Sequence, residues 1–187
     1  AIADPLWSRG LGDVYKRQAS MDITGLIGQY AHGNEPSHHT TYMYAYSGEH
    51  YKIADKVRYI NNELYTDEPD GLSGNEDCGQ MSAWYILSSM GFYPVNPSNG
   101  AYVFGSPLFD EVSLNIPGQN KFKISAKNNS DKNIYIQSVL LNGEDHKYSY
   151  ITHKQILEGG ELEFVMGPNP NKSFGKEKKY RPESIVY

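Results

Sequence analysis

The side chains best suited to chemistry are concentrated in two short segments. The first, residues 32–39 (HGNEPSHH), holds three histidines, an asparagine, a glutamate and a serine. His38 and His39 are adjacent, so they point to different sides of a helix, and no HExxH pattern is present; the spacing is poor for zinc. Asn34, Glu35 and loop carbonyls are hard oxygen ligands of the kind that Ca²⁺ takes. The alternative is a helix start capped by Asn34, with histidines on the surface.

The second segment, residues 71–80 (GLSGNEDCGQ), places Glu76 beside Asp77 at the start of a predicted helix. The positive end of a helix dipole stabilises such acids, which is the simpler explanation. A glycosidase, however, needs carboxylates beside the scissile bond, and glycine lets a loop backbone approach a sugar closely. The segment is therefore also a candidate catalytic loop.

Three helices are predicted between residues 21 and 91. The first runs over residues 34–47 and ends at Gly48, a suitable residue for a helix C-terminus. The second covers residues 49–65, where apolar residues recur at helical spacing. The third covers residues 77–90 and is apolar on nearly every side, as expected of an inner helix.

The order of these helices brings the two segments together. Short connections make successive helices antiparallel, so the first and third helices begin at the same end of the assembly. The tripeptide Gly-Asn-Glu precedes both, at residues 33–35 and 74–76. We therefore expect the two acid-bearing loops to face each other, as they do at the sugar cleft of an α/α toroid.

From residue 102 onward the sequence alternates as strands do. Tight turns are predicted at Asn142-Gly143 and Gly159-Gly160. The candidate strands are residues 102–104, 112–116, 122–126, 134–141 and 162–166. The predicted fold class is α+β, with a partial α/α toroid of helical hairpins followed by a small antiparallel β-sheet or sandwich.

Composition excludes several other functions. The net charge is −5, which disfavours nucleic acid as a partner. No apolar run approaches the 18 residues of a membrane span. Tyrosine is frequent, with 16 residues, which suits either sugar stacking or the filling of helix and strand surfaces. The single cysteine, Cys78, cannot form an internal disulfide, and we expect a small buried thiol.

The chain divides into three predicted parts. Residues 1–18 lack the apolar region of a signal peptide and join awkwardly to the helical segment after them, so we expect an artefactual or unstructured segment. Residues 19–97 form the C-terminal part of an α/α barrel catalytic domain. Residues 98–187 form a C-terminal β segment.

Long motifs carry a resemblance to a known family. GLIGQYAHGNEPSHHTTYMYAYSG, PDGLSGNEDCGQMSAWYILSSMGFYPVNP and YVFGSPLFDEV resemble glycoside hydrolase family 92, and the similarity runs over residues 21–167. The family consists of calcium-dependent exo-α-mannosidases that invert the anomeric configuration. Its architecture is an N-terminal β-sandwich, an α/α barrel that carries the cleft and a small C-terminal β segment.

The resemblance implies roles for individual residues. Asp77 matches the general base, and Glu76 is a candidate second carboxylate beside it. Asn34, Glu35 and Asp77 are implied as ligands of the calcium ion. The implied substrate-binding residues are His32, Glu35, His38 and His39.

Two departures from the family pattern limit what this chain does alone. Many relatives carry an acid where this chain has Asn75. The general acid of the family belongs to an upstream Glu-Gly-Asn motif that this sequence lacks. We therefore expect a fragment that is inactive without the missing N-terminal part of its own chain.

The resemblance also implies a substrate and a location. The parent would remove terminal α-mannose, α-1,2-linked, from mannose-containing glycans such as N-glycans. It would be periplasmic, secreted or attached to the cell surface. Two other functions stay open: a carbohydrate-binding module without catalysis, and a calcium-stabilised structural domain.

Overall fold

The computed structural model describes residues 24–118 and 120–184, and these form an α+β fold with a helical half before a β half. The segment 1–18, predicted to be artefactual or unstructured, lies outside the described residues. Within the described ranges, no helix is both long enough and apolar enough to cross a membrane.

The helical half contains a small hairpin, a run of short turns and two full helices. Its elements are β1 (Leu26–Ile27), β2 (Tyr30–Ala31), 3₁₀ turns at Glu35–Ser37 and Thr40–Met43, α1 (Tyr44–Ser47), α2 (Lys52–Glu63) and α3 (Gln80–Met90). Helices α2 and α3 confirm the second and third predicted helices.

Helix α2 is fixed by its apolar stripe. Ile53, Val57 and Ile60 are completely buried, as the helical spacing predicts. Burying side chains of this size stabilises the fold by about 1.5–3 kcal/mol each. Helix α3 buries Trp84 completely but leaves Ile86 52% exposed, so it is covered on one face by the described residues.

The first predicted helix is wrong as a continuous helix. In an α-helix the His38 carbonyl would accept the amide of Tyr42; here it accepts the indole N–H of Trp84 at 3.1 Å. The Tyr42 amide bonds to the His39 carbonyl instead, in a 3₁₀ pattern. A long-range contact therefore replaces the local one, and only α1 is helical. The predicted end at Gly48 is confirmed by its φ of 80°.

The β half contains two sheets. The larger has the order β5-β6-β10-β7-β8 and the smaller the order β3-β4-β9. Their strands are β3 (Phe92–Asn96), β4 (Ala101–Phe104), β5 (Glu111–Asn115), β6 (Lys121–Lys127), β7 (Tyr135–Leu141), β8 (Glu144–Asp145), β9 (Tyr150–Thr152) and β10 (Gly160–Gly167), with helix α4 (His153–Leu157) before β10.

All five predicted strands are present, but the sheet is not purely antiparallel. Strand β10 lies between β7, to which it is antiparallel, and β6, to which it is parallel. The parallel pair is possible because β7, β8, β9 and α4 form a long connection between them. The predicted turn at Asn142-Gly143 is confirmed, with φ of 53° and 83° joining β7 to β8.

Two apolar clusters meet where the halves join. One combines residues of both sheets and includes Phe92, Phe104 and Phe164; the other surrounds Trp84 and includes Val103. Strands β3 and β4 pair across the predicted boundary between residues 97 and 98. The helical and β halves therefore share their cores, and the boundary itself stays a prediction.

Candidate active site

The two acid-bearing loops lie side by side. A Cβ added to Gly33 would stand 2.2 Å from the Ser73 carbonyl oxygen, so the two backbones touch at this point. The predicted meeting of the loops is therefore found, although the first loop leads into 3₁₀ turns rather than a helix. Glycine is required at residue 33 because any side chain would push the loops apart.

His32 is completely buried between the loops. Its Nδ1 lies 2.7 Å from the Tyr30 hydroxyl, and its Nε2 lies 2.6 Å from the Tyr65 hydroxyl. The Tyr65 hydroxyl donates its proton to the Met81 carbonyl at 3.0 Å, so it accepts from His32. The imidazole is therefore the neutral Nε2–H tautomer. Burial, with a smaller contribution from His38, lowers the pKa of His32 to about 3.

His38 is buried next to His32. Its Nε2 donates to the His32 carbonyl at 2.9 Å, and its Nδ1 accepts from the Gln80 side chain at 3.2 Å. Burial lowers the pKa of His38. Both imidazoles are thus occupied by protein partners, and this burial favours a supporting role for them. Contact of His32 or His38 with substrate stays a prediction.

The polar side chains of the first loop that reach its surface are those of Asn34 and His39, which are exposed. Glu35 lies in the 3₁₀ turn Glu35–Ser37, and its Oε1 is buried without a hydrogen-bond partner in the described residues. A buried carboxylate oxygen without a partner is unfavourable, so this atom is a candidate ligand for a cation.

Asp77 is exposed on the second loop and has an unusual backbone. Asp77, Cys78 and Gly79 have successive φ values of 46°, 58° and 90°, all left-handed. This conformation disfavours residues with a side chain, and such strain is often retained at functional sites. Cys78 is exposed, so the expectation of a buried thiol is wrong.

Glu76 is engaged in a local contact. Its two carboxylate oxygens accept from the backbone N–H and the hydroxyl of Ser82, at 3.1 and 3.0 Å. These bonds attach the loop to the first turn of α3. The predicted catalytic role of Glu76 therefore stays a prediction beside a clear structural one.

A sequence model of the glycosyl hydrolase family 92 catalytic domain matches residues 8–168, most of this chain. The chain belongs to glycosyl hydrolase family 92. It is 42% identical to a family 92 α-mannosidase of Bacteroides thetaiotaomicron in complex with mannoimidazole, with a TM-score of 0.84 over 88% of this chain and 22% of that one. A family 92 inverting mannosidase from the same species is 43% identical, with a TM-score of 0.79 over 84% and 21% of the two chains.

A third relative is named an uncharacterized secreted glycosidase, from Arthroderma benhamiae. It is 32% identical over 156 residues, which are 82% of this chain and 20% of that protein. This family 92 chain therefore spans about a fifth of the length of these relatives. The two loops form part of a larger catalytic domain.

The metal ligands implied by the resemblance fit a hard cation in type. Among the residues that the structure describes, no group of three or more His, Cys, Asp or Glu is placed to hold a metal. The candidate ligands Asn34, Glu35 and Asp77 all offer oxygen, and the unpartnered Glu35 oxygen is available for a cation. This donor chemistry suits Ca²⁺ when backbone carbonyls, water and substrate complete the shell.

Sequence reasoning missed the side chains that hold the loops together. Tyr30, Tyr65, Gln80 and Trp84 bond to His32 or His38. They come from a hairpin, a loop base and helix α3, so no short motif connects them. The high number of tyrosines does not single out Tyr30 or Tyr65, because a tyrosine suits a buried position and a surface position equally well.

Proposed function

We propose that the full-length family 92 parent of this chain is an exo-acting α-mannosidase that inverts the anomeric configuration with the help of calcium. The observation that carries this proposal is the contact between Gly33 and Ser73. It places the Glu35 loop beside the Asp77 loop, so an ion and a carboxylate can act on one sugar. The similarity to two solved mannosidases, one of them named inverting, supports the substrate class.

Asp77 is the proposed general base. Its exposed carboxylate accepts a proton from the water that attacks the anomeric carbon. In inverting enzymes the acid and the base stand about 6.5–9.5 Å apart, because the water must fit between the base and the sugar. The general acid is supplied by the part of the parent that this chain lacks. Glu76 binds Ser82 and so attaches the Asp77 loop to α3.

Asn34, Glu35 and Asp77 are the proposed calcium ligands. These residues would hold the ion, which when bound would favour a pair of cis hydroxyls of the kind found in mannose. His39 and Asn34 line the exposed edge of the same loop, where a leaving-group sugar would lie. His32 and His38 support that loop from below.

The proposed substrate is a terminal α-1,2-linked mannose of a glycan, including N-glycans. A relative named as a secreted glycosidase supports a secreted enzyme, and a periplasmic or cell-surface location fits the same chemistry.

The base assignment is tested by Asp77→Asn in the full-length parent. We expect turnover of an α-mannoside to fall about 10²–10⁴-fold, because the attacking water loses its proton acceptor. Binding of mannoimidazole should persist. Asp70→Asn, an exposed acid on the preceding turn, is the matched control and should be active. Unchanged turnover in Asp77→Asn would contradict the assignment.

The calcium site is tested by Glu35→Gln in the parent. The variant replaces a carboxylate with an amide of nearly equal size, so we expect calorimetry to show clearly weaker binding of Ca²⁺ alone. Glu63→Gln, at the exposed end of α2, is the control and should bind calcium normally. Equal affinity in Glu35→Gln and the wild type would remove Glu35 from the ligand set.

A further inference from the structure

A chain of buried and partly buried hydrogen bonds crosses between the two loops. Tyr30 donates to His32, His32 donates to Tyr65, and Tyr65 donates to the Met81 carbonyl, with distances of 2.7, 2.6 and 3.0 Å. We call this chain the tyrosine–histidine bridge. It joins strand β2, which leads into the Glu35 loop, to the first turn of α3, which comes directly after the Asp77 loop.

Tyr65 lies at the base of the second loop. It pairs with Leu72, at the start of that loop, and the adjacent Thr66 amide bonds to the Gly71 carbonyl at 3.0 Å, which closes the turn before the loop. Tyr65 therefore connects three segments of chain: its hydroxyl bonds to His32 and to the Met81 carbonyl of α3, and its backbone pairs with Leu72 at the start of the second loop. Among the described residues, Tyr65 is the member of the bridge that touches both sides.

One contact between two loops leaves them free to rotate about it. The loops touch directly at Gly33 and Ser73. The tyrosine–histidine bridge adds hydrogen bonds at a different point, beside the Gln80–His38 hydrogen bond, and separate contacts fix the angle between the loops. The Tyr30–His32 bond is buried, the two bonds of the Tyr65 hydroxyl are partly buried, and each polar group of the bridge has a partner.

We propose that Tyr65 is a positioning residue whose hydroxyl fixes the orientation of the Glu35 loop relative to the Asp77 loop. This inference rests on the proposed function, because it assumes that both loops serve one site. Tyr65 acts through its neighbours, and its hydroxyl is already occupied within the protein.

The hydroxyl can be separated from the packing of the ring. The Tyr65 ring stacks on Trp84 with an interplanar angle of 2° and a centroid distance of 6.1 Å. Phenylalanine keeps this stacking and removes the two hydrogen bonds. Burial, and next the nearby Glu76 carboxylate, raise the pKa of Tyr65, so the hydroxyl stays protonated and donates at all working pH values.

The test is Tyr65→Phe in the full-length parent, with amide hydrogen exchange and steady-state kinetics measured on the same sample. We expect faster exchange in both loops, residues 33–37 and 73–80. We expect kcat to fall about 10- to 100-fold, because small displacements of reacting groups have effects of this size. Restoring tyrosine in the variant should restore both quantities.

Tyr85→Phe is the matched control, because Tyr85 packs beside Tyr65 with ring centroids 4.8 Å apart but lies outside the bridge. It should change neither exchange nor kcat. Unchanged exchange in Tyr65→Phe would overturn the proposal. Faster exchange with wild-type kcat and wild-type calcium binding would also overturn it.

These outcomes separate the proposal from the proposed function. If Asp77→Asn retains full turnover while Tyr65→Phe loosens both loops, the base assignment fails and the coupling of the loops stands. If Asp77→Asn is inactive and Tyr65→Phe leaves loop exchange unchanged, the catalytic role stands and the positioning role fails.

Discussion

The candidate site combines buried histidines with exposed polar side chains. His32 and His38 are neutral and enclosed. Each carries its proton on Nε2, because that nitrogen faces an oxygen that can only accept: the Tyr65 hydroxyl for His32 and the His32 carbonyl for His38. Asp77 and Asn34 are exposed on the surface that these histidines support. The segment 32–39 therefore contains both enclosed and exposed polar side chains, which its sequence spacing alone does not distinguish.

A third buried neutral histidine, His50, makes stability depend on pH. His50 is buried and donates to the Phe104 carbonyl at 2.9 Å, and burial lowers its pKa to about 4. The unfolded chain binds the proton near pH 6.5, so its contribution to stability is present above that pH. It is lost as the pH falls from 6.5 to about 4, by at most about 1.4 kcal/mol per pH unit.

His50→Gln should weaken this pH dependence, because glutamine can donate a hydrogen bond but does not titrate in this range. We expect the free energy of unfolding, measured by chemical denaturation between pH 7 and 4, to decrease less steeply in the variant. His153→Gln, at the exposed start of α4, is the control and should keep the wild-type slope. Identical slopes in all three proteins would contradict the prediction.

Elements with strong local patterns can be predicted from the sequence, and elements set by distant contacts cannot. The stripe of Ile53, Val57 and Ile60 predicts α2 because helical spacing alone buries them. Strand β3 is harder to predict because Pro94 lacks an amide donor. The strand tolerates it as an edge strand with an irregular register between Tyr93 and Asn96.

Some features of the candidate site can likewise be predicted from the sequence, and others cannot. The repeated Gly-Asn-Glu motif and the order of the helices predict the acids and the meeting of their loops. They do not predict the left-handed backbone of Asp77 and Cys78, since local sequence favours other conformations. The contacts of Tyr65 cannot be predicted from local sequence either, because their partners lie 33 and 16 residues away in the chain.

The joint between the loops has no room for a side chain. Gly33→Ala would place a methyl group 2.2 Å from the Ser73 carbonyl oxygen and 2.4 Å from the Thr24 hydroxyl. We expect the full-length protein to lose about 1–3 kcal/mol of stability through overpacking, and turnover to fall as the loops separate. Thermal unfolding and kinetics measure the two effects.

Gly118→Ala is the control, because a Cβ at that glycine meets no atom within 4 Å. Gly118 also has a positive φ, of 91°, so the control includes backbone strain. A Gly33→Ala protein that kept both its stability and its turnover would show that the two loops do not touch in the parent.

As a whole molecule, the chain is a part of a larger catalytic domain. Ile86 on α3 is 52% exposed and Tyr59 on α2 is 48% exposed. Apolar surface of this kind favours association when the neighbouring chain is absent. We expect the isolated 187-residue chain to associate in sedimentation experiments and to release no mannose from α-mannosides.

Ile86→Lys in the isolated chain should increase the monomer fraction, because it places a charge on the exposed face of α3. Ser184→Lys, at an exposed position of the C-terminal segment rather than on α3, is a control for added charge alone. A monomeric wild-type chain would contradict the expected association. Measurable mannose release by that chain would contradict the need for the missing part.

The central position of β10 has a consequence for biosynthesis. Residues 160–167 are translated after both of the strands that they separate, β6 and β7. On the ribosome, those two strands emerge with unpaired edges, because β10 has not yet been translated. A premature stop codon shortly before residue 160 would therefore remove the middle of the sheet, and the nascent polypeptide would be a substrate for chaperones and proteases.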